Sequence, residues 1–187
     1  MNLERILSSI YLLPDKSLQL FRQDITEIYL PKGHILLHAG MIENSIYLIK
    51  KGIVRAYADT EDREVTFWFG REGDAVVSMK SYVAGERGYE NIELLEDCEL
   101  YMIESRKLKE LYISDIHIAN WGRRFIEQEL IKAEERLIAL QFKTATQRYT
   151  DLLLNNPYLI QRVQLSHIAS YLGITQASLS RIRAEII

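Results

Sequence analysis

Two short helical segments meet at a glycine near the end of the chain, in the sequence Leu165-Ser166-His167-Ile168-Ala169-Ser170-Tyr171-Leu172-Gly173-Ile174-Thr175-Gln176-Ala177-Ser178-Leu179-Ser180-Arg181-Ile182-Arg183. The spacing of Leu165, Ile168 and Leu172 gives the first segment one apolar face. Gly173 follows, and a glycine at this place can take the left-handed backbone conformation that ends a helix. Thr175 is of the residue type that begins a helix by accepting a hydrogen bond from the first turn. The stretch therefore predicts two helices joined by a tight turn.

The second predicted helix turns Leu179 and Ile182 inward and leaves polar side chains outside. This layout is typical of a helix-turn-helix, whose second helix offers hydrogen-bonding side chains to the major groove of DNA. We expect Gln176 to pair with adenine and Arg181 to reach a guanine edge or a phosphate. An ordinary helical hairpin is the alternative interpretation. The residues expected at the DNA surface are Ser166, Thr175, Gln176, Ala177, Ser178, Arg181 and Arg183.

Charge is distributed unevenly along the chain. The whole sequence has a net charge of −3, which by itself argues against a nucleic-acid partner. Residues 1–140 contain 18 Lys and Arg against 24 Asp and Glu, whereas residues 141–187 contain 5 basic residues against 2 acidic ones. Because DNA phosphates attract the second part and repel the first, the pattern favours DNA binding by the C-terminal segment.

Short runs rich in β-branched and aromatic residues fill the middle of the chain, and turn residues separate them. Strands at this spacing indicate an antiparallel sandwich or barrel. Lys51-Gly52 lies between two apolar runs and predicts a hairpin. The predicted strands are Ile25–Leu30, Ile35–His38, Ser45–Ile49, Ile53–Tyr57, Val65–Phe69, Asn91–Leu95 and Leu100–Ile103.

A helical period of apolar residues follows the predicted strands. Its members are separated by four and three residues in alternation, which predicts a helix with an apolar seam for pairing with a second copy. The alternative is a single helix packed on its own barrel. Trp121, Phe125 and Ile138 lie off the seam and are expected to pack on the barrel. The expected dimer interface consists of Ile126, Leu130, Ala133, Leu137 and Leu140.

Composition excludes several other classes of protein. Cys98 is the single cysteine, so an internal disulfide, a four-thiolate zinc site and a cysteine-held iron–sulfur cluster are excluded. We expect no membrane span and no secretory signal, and a cytoplasmic location. A metal enzyme of the cupin type needs a His-x-His pair and a nearby glutamate, whereas His34 and His38 are four residues apart and Glu43 is the next glutamate. We predict no catalytic residues, no metal site and no enzymatic activity.

On these residues the chain resembles the Crp/Fnr family of bacterial regulators, in a form similar to Crp-like proteins of the Bacteroidetes. The resemblance covers nearly the whole chain, and its signature is the order of Gly33, Gly40, Gly52 and Gly73, the long helix and the run from Ile168 to Ile182. It implies an α+β fold with an antiparallel β jelly-roll sensor domain, a long dimerisation helix and a C-terminal winged helix-turn-helix. The expected domains are residues 1–113, 114–141 and 142–187. The family implies a homodimer on double-stranded DNA and contact with RNA polymerase.

The departures from the family concern the ligand. Members that bind cyclic nucleotides supply a Gly-Glu pair for the ribose and an Arg-Ser/Thr-Ala triplet for the phosphate. Here the Gly-Glu positions fall on Val77 and Ser78, and the arginine position falls on Gly88, with Tyr89 and Glu90 after it. Because a cyclic phosphate needs a cation or a ring of backbone donors, we expect no cyclic AMP binding. The helix residues that would contact the base fall on Ala133 and Glu134.

An unknown small effector remains open, and no cofactor is predicted. The candidate ligand pocket consists of Val77, Ser78, Met79, Arg87, Gly88, Tyr89 and Ala133. Haem ligation by one of the four histidines stays open as well. The alternative function is a cyclic-nucleotide-type module that binds a ligand or a protein without binding DNA.

Overall fold

The computed structural model describes residues 1–186. Two compact units divide the chain. Unit 1 comprises Met1–Ala56 and Phe69–Glu129, and unit 2 comprises Tyr57–Trp68 together with the chain from Leu130 onward. The long helix that follows the strands contributes to both units.

Within residues 1–186, eight strands form two four-stranded sheets, which confirms the expected jelly-roll type of sandwich. One sheet has the strand order β1-β8-β3-β6 and the other has the order β2-β7-β4-β5. All seven predicted strands are present. The sequence pattern missed β6, which is only two residues long and too short for any periodicity. The strands are β1 Thr26–Leu30, β2 Ile35–Leu37, β3 Ser45–Lys51, β4 Val54–Asp59, β5 Glu64–Gly70, β6 Ala75–Val76, β7 Asn91–Leu94 and β8 Cys98–Glu104.

The turn at Lys51-Gly52 is not a hairpin, so that prediction is wrong. Strands β3 and β4 on its two sides belong to different sheets, and the turn carries the chain from one sheet to the other. Gly52 has a φ of 113°, and a Cβ atom there would overlap the Sγ atom of Cys98. A sheet-to-sheet turn and a hairpin both need a flexible residue between apolar runs, so the local sequence does not distinguish them.

Nine helices are described within residues 1–186. They are α1 Leu3–Ile10, α2 Asp15–Gln23, α3 Met79–Ala84, α4 Ser105–Ser114, α5 Ile116–Phe142, α6 Ala145–Asn155, α7 Pro157–Arg162, α8 Leu165–Tyr171 and α9 Gln176–Ile186. The core of unit 1 includes Ile6 and Leu7 of α1, Phe21 of α2, and Trp121 and Phe125 of α5. Trp121 meets the Phe21 ring edge-on at 5.1 Å and donates a hydrogen bond to the carbonyl oxygen of Leu7 over 3.1 Å.

Helix α5 is 27 residues long and changes character along its length. Trp121 and Phe125 are buried in unit 1, as expected from their position off the seam. The seam residues are exposed, as they must be if a second copy covers them. Ile138, which was expected to pack on the barrel, is 52% exposed, so that expectation is wrong. Ile138 lies more than a full turn beyond Glu129, the last residue that α5 gives to unit 1.

The C-terminal segment is helical throughout the described residues 145–186, apart from its turns. Where the resemblance implies a wing, Pro157–Arg162 forms helix α7. The expected winged form of the helix-turn-helix is therefore not found in this part of the chain. Proline at the first helical position and Asn156 before it start a helix more readily than a strand, because proline lacks the N–H that a ladder needs. Thr144 caps α6 through a capping box with Gln147.

No helix within residues 1–186 is both long enough and apolar enough to cross a lipid bilayer.

Gly52→Ala is expected to destabilise the protein more than Gly33→Ala. Both glycines have positive φ, but a Cβ at Gly33 meets nothing within 4 Å, whereas one at Gly52 overlaps Cys98. Backbone strain costs Gly33→Ala about 1–3 kcal/mol. The overlap with Cys98 should cost Gly52→Ala about 1–3 kcal/mol more. Denaturant unfolding of the two variants and the parent protein measures both losses of stability.

Cys98→Ala provides the control for the overlap. In that background the extra cost of Gly52→Ala over Gly33→Ala should largely disappear. Equal losses for the two glycines in the parent protein would contradict the close approach of Gly52 to Cys98.

Candidate nucleic-acid interface and sensor pocket

The turn between α8 and α9 is held by two backbone hydrogen bonds. The N–H of Gly173 donates to the carbonyl oxygen of Ser170, and the N–H of Ile174 donates to that of Ala169, each over 3.0 Å. Gly173 has a φ of 70°, in the left-handed region. This combination is the Schellman motif, which ends a helix and satisfies its last carbonyls. The predicted end of the first helix is therefore confirmed in atomic detail.

Thr175 caps α9, as the sequence predicted. Its Oγ1 accepts a hydrogen bond from the backbone N–H of Ser178 over 3.1 Å and lies 3.0 Å from the Ser178 hydroxyl. The Ser178 side chain thus takes part in the cap. A hydroxyl engaged in this way orients the first helical turn more than it reads a base, so Ser178 is better described as a positioning residue.

The exposed face of α9 is centred slightly differently from the expected one. Gln176, Ala177 and Arg181 are exposed, and Leu179 and Ile182 are buried. Because residues three and four apart share a helix face, two further residues join this surface. Ser180 lies four residues after Gln176 and is exposed, and Ala184 lies three residues after Arg181 and is exposed.

Two of the expected DNA-facing residues lie at the margins of this surface. Arg183 is half-buried, and its Nε has no hydrogen-bond partner among the described residues. Ser166, in the first turn of α8, is exposed. The surface that α9 presents therefore consists of Gln176, Ala177, Ser180, Arg181 and Ala184.

Two arginines anchor the end of α8 from other helices of unit 2. Arg136 donates a hydrogen bond to the carbonyl oxygen of Tyr171 over 2.9 Å and lies 3.8 Å from the centre of the Tyr171 ring. Burial lowers the pKa of the Arg136 guanidinium, and its interaction with Tyr171 opposes that shift. Arg148 donates to the carbonyl oxygens of Leu172 and Lys143 over 3.1 and 2.6 Å. Cations at the carbonyl end of a helix stabilise it electrostatically.

Arg148 is used within unit 2. Its guanidinium holds the helix-turn-helix in place and is not free to hold the DNA backbone. Lys143, another cation of this segment, pairs with Asp151 over 2.7 Å. Part of the C-terminal positive charge is therefore used within unit 2 and contributes less to the attraction of phosphate than a count of charges suggests.

Helix α8 also bonds to the strand segment of unit 2. The Ser170 hydroxyl donates to the carbonyl oxygen of Glu64 over 3.1 Å and accepts from the N–H of Thr66 over 2.9 Å. The Ser170 side chain thus satisfies two backbone groups of the strand segment, the carbonyl oxygen of Glu64 and the N–H of Thr66. The sequence pattern contained no signal for this contact, because serine in a helix is ordinarily a solvent-facing residue.

The expected dimer seam forms an exposed apolar row along α5. Leu130 is 61% exposed and Leu137 is 57% exposed, and Ile126 and Leu140 are each 40% exposed. Ala133 lies between them and is exposed as well. A row of large exposed apolar side chains on one helix is typical of a surface that another helix covers.

Glu90 is a buried carboxylate close to Gly88, the residue expected at the family's arginine position. A Cβ built at Gly88 would lie 2.6 Å from the Ser78 hydroxyl and 3.1 Å from Oε1 of Glu90. Glu90 is 6% exposed and accepts a hydrogen bond from the N–H of Tyr89 over 3.1 Å. Arg87, Tyr89 and Met79 are exposed. A buried carboxylate where the cyclic phosphate would sit repels an anion.

Residues 27–115 match the family model of the cyclic nucleotide-binding domain. No curated protein sequence matches the chain.

The fold of the whole chain matches that of solved bacterial regulators. FixK2 of Bradyrhizobium japonicum has a TM-score of 0.75 and 22% identity, over 87% of this chain and 84% of that one. The c-di-GMP-responsive regulator CLP of Xanthomonas campestris has a TM-score of 0.73 and 17% identity, over 92% and 91%. A Crp/Fnr-type regulator from Eubacterium rectale has a TM-score of 0.73 and 18% identity, over 91% and 82%. The chain therefore has the Crp/Fnr fold.

Cyclic AMP is expected not to bind, because the chain offers Glu90 where the phosphate requires a cation. Titration calorimetry of the whole protein should show no saturable binding in the micromolar range. Gly88→Arg restores the family's cation but is expected to destabilise the protein by about 1–3 kcal/mol through overlap with Ser78. Micromolar binding by the parent protein would contradict the assignment of this pocket.

Proposed function

We propose that this protein is a DNA-binding transcription regulator of the Crp/Fnr type that acts as a cytoplasmic homodimer on a palindromic operator and does not respond to cyclic AMP. The observation that supports it most is the helix-turn-helix of unit 2, in which a Schellman turn and a threonine cap hold an exposed, acid-free first half of α9. The proposal includes contact with RNA polymerase, and the likeness of the fold is its one support. The proposal includes no enzymatic activity.

The side chains on α9 suit the major groove. Gln176 offers both an acceptor and a donor, the pair that matches adenine, and Ala177 beside it offers only a methyl group, which suits thymine. Arg181 is one turn beyond Ala177 on the same exposed face. The helix N-terminus contributes unpaired N–H groups in the same region, which favour a phosphate.

A twofold axis along the seam of α5 would place two copies of α9 on one duplex. Symmetric dimers of this kind bind two half-sites about one helical turn apart, so a palindromic operator follows from the symmetry. The first half of α5 is fixed to unit 1 by Trp121 and Phe125, and the exposed second half is available for the second copy.

Leu130→Glu combined with Leu137→Glu is expected to convert the dimer into a monomer. The two changes would bury four carboxylates at the twofold seam, and like charges without partners oppose association. Because both leucines are more than half exposed in the single chain, the fold of the monomer should survive. Sedimentation measures the mass, and circular dichroism checks the fold.

Ile131→Glu combined with Ile138→Glu provides the matched control. These residues are 53% and 52% exposed, have the same spacing and lie one position further along the same helix. The control variant should remain dimeric. Dissociation of this variant, with a dimer retained by the Leu130 and Leu137 variant, would place the interface on a different face of α5.

Arg181→Ala is expected to weaken specific DNA binding by about 1–3 kcal/mol and to relax the preference at one position of each half-site. Selection of bound fragments from genomic DNA supplies the operator, and titration at several salt concentrations supplies the affinity and the salt slope. Arg181→Lys separates two roles, because lysine holds a phosphate but cannot form the paired bonds to guanine.

Arg106→Ala is the control for charge alone, since Arg106 is an exposed cation of α4 in unit 1. We favour the guanine role for Arg181. A uniform loss on all sequences with a salt slope smaller by about one per subunit would assign it to a phosphate instead. Unchanged affinity and an unchanged slope in Arg181→Ala would refute the placement of α9 in the groove.

The second candidate function is a ligand-binding or protein-interaction module that does not bind DNA. The use of Arg148 and Lys143 within unit 2 favours it, since fewer cations are left for phosphate. A gel-shift assay with pooled genomic DNA separates the two functions, because a module of this kind would give no retarded band.

A further inference from the structure

A cavity of about 440 Å³ lies in unit 1, apart from the pocket that contains Ser78, Gly88 and Glu90. Residues of helices α3, α4 and α5 and of strands β3 and β6 line it, and it is partly open to solvent. The ion-paired Arg123 and Glu127 and the seam residue Ile126 belong to the lining. Of the residues expected to form the ligand pocket, Val77 and Met79 line this cavity, and Ser78, Arg87, Gly88, Tyr89 and Ala133 do not.

The lining of the cavity is almost entirely apolar. Ile46, Leu108, Trp121 and Phe125 contribute large side chains, and small residues leave the space between them. Gly122 lets the Tyr112 ring lie directly against α5, since a Cβ atom there would meet that ring at 2.5–2.8 Å. A cyclic nucleotide, with its charged phosphate, could not be desolvated in such a lining.

The wall formed by α3 and α4 is braced against collapse. The hydroxyls of Tyr82 and Tyr112 are hydrogen-bonded to each other, and burial raises the pKa of Tyr112 well above its usual range. Lys109 donates to the carbonyl oxygen of Tyr82 over 2.8 Å and its Nζ lies 4.8 Å from the centre of the Tyr82 ring. These contacts satisfy the polar groups of the wall with one another.

A braced apolar concavity of this size leaves apolar surface partly open to solvent. Exposed apolar surface is unfavourable in water, and large patches of it mark ligand-binding grooves or contacts with other proteins. Apolar cavities exclude water and accept uncharged apolar molecules. The volume lies in the range of about 300–1,000 Å³ that is typical of small-molecule sites.

We propose that this cavity binds one uncharged, apolar small molecule per chain, of the size of two or three fused or linked rings. The molecule would contact α3 and the buried half of α5 at once. The proposal does not depend on DNA binding, so either proposal can fail without the other.

The test uses N-phenyl-1-naphthylamine, an uncharged fluorescent probe, and the full-length protein. Trp121 lines the cavity and Trp68 is the only other tryptophan, so Trp68→Phe leaves one reporter at the site. Titration should quench Trp121 emission in a saturable way, with one probe bound per chain. Absence of saturable binding would overturn the proposal, whether the cavity closes or a second copy fills it.

Two comparisons assign the binding to this cavity. Ala119→Phe adds a ring to a residue of the lining and should weaken binding by about tenfold or more. Ala84→Phe adds the same ring to an exposed residue of α3 and should leave the affinity unchanged. Equal effects of the two variants would place the probe elsewhere.

A charged form of the probe tests whether the binding site is apolar. 1-Anilinonaphthalene-8-sulfonate has the same rings with a sulfonate, which the lining cannot solvate, and should bind about tenfold more weakly or worse. Equal affinity for the two probes would contradict an apolar site. If Ala119→Phe loses its fold by circular dichroism, Met79→Trp, at a half-exposed lining position of α3, serves as the cavity-filling variant and should weaken binding in the same way.

Discussion

Trp121 determines how the rest of unit 1 and the long helix are arranged. Its ring packs edge-on against Phe21 and stacks on Phe125 at 5.8 Å, and its indole N–H donates to Leu7. One side chain thus ties α1, α2 and α5 together. The same ring forms part of the cavity wall, so the core of unit 1 and the cavity share this buried side chain.

Cations in unit 2 serve two purposes that compete with each other. Arg136 and Arg148 are used on the carbonyl end of α8, where they hold the turn that aims α9. The charge that remains for phosphate is therefore small, and recognition by base contacts would carry a larger share of the affinity than in a strongly basic protein. Glu90, a buried carboxylate, lies close to Gly88, the residue expected at the arginine position of nucleotide-binding members. The charge expected there is therefore opposite in sign to theirs.

Much of the fold and of the exposed surface of α9 could be predicted from the sequence, because the signals were local. Short runs rich in β-branched and aromatic residues identified seven strands, and Gly173 with Thr175 identified the turn and the cap of α9, whose hydrogen bonds join residues only a few positions apart. The predictions failed where a local pattern fits two arrangements. Lys51-Gly52 turns the chain between sheets although it resembles a hairpin, and Ile138 is exposed although its helix is apolar on two sides.

The sequence alone determined the strands, the long helix and the helix-turn-helix, since each depends on the identity and spacing of neighbouring residues. Only the tertiary structure decided which charges are already used, as Arg148 is, and that Glu90, Ser78 and Gly88 come together. It also decided that an apolar cavity opens between α3, α4 and α5. Contacts of this kind join residues far apart in the chain, and the free energy that fixes them comes from packing, which leaves no periodic trace in the sequence.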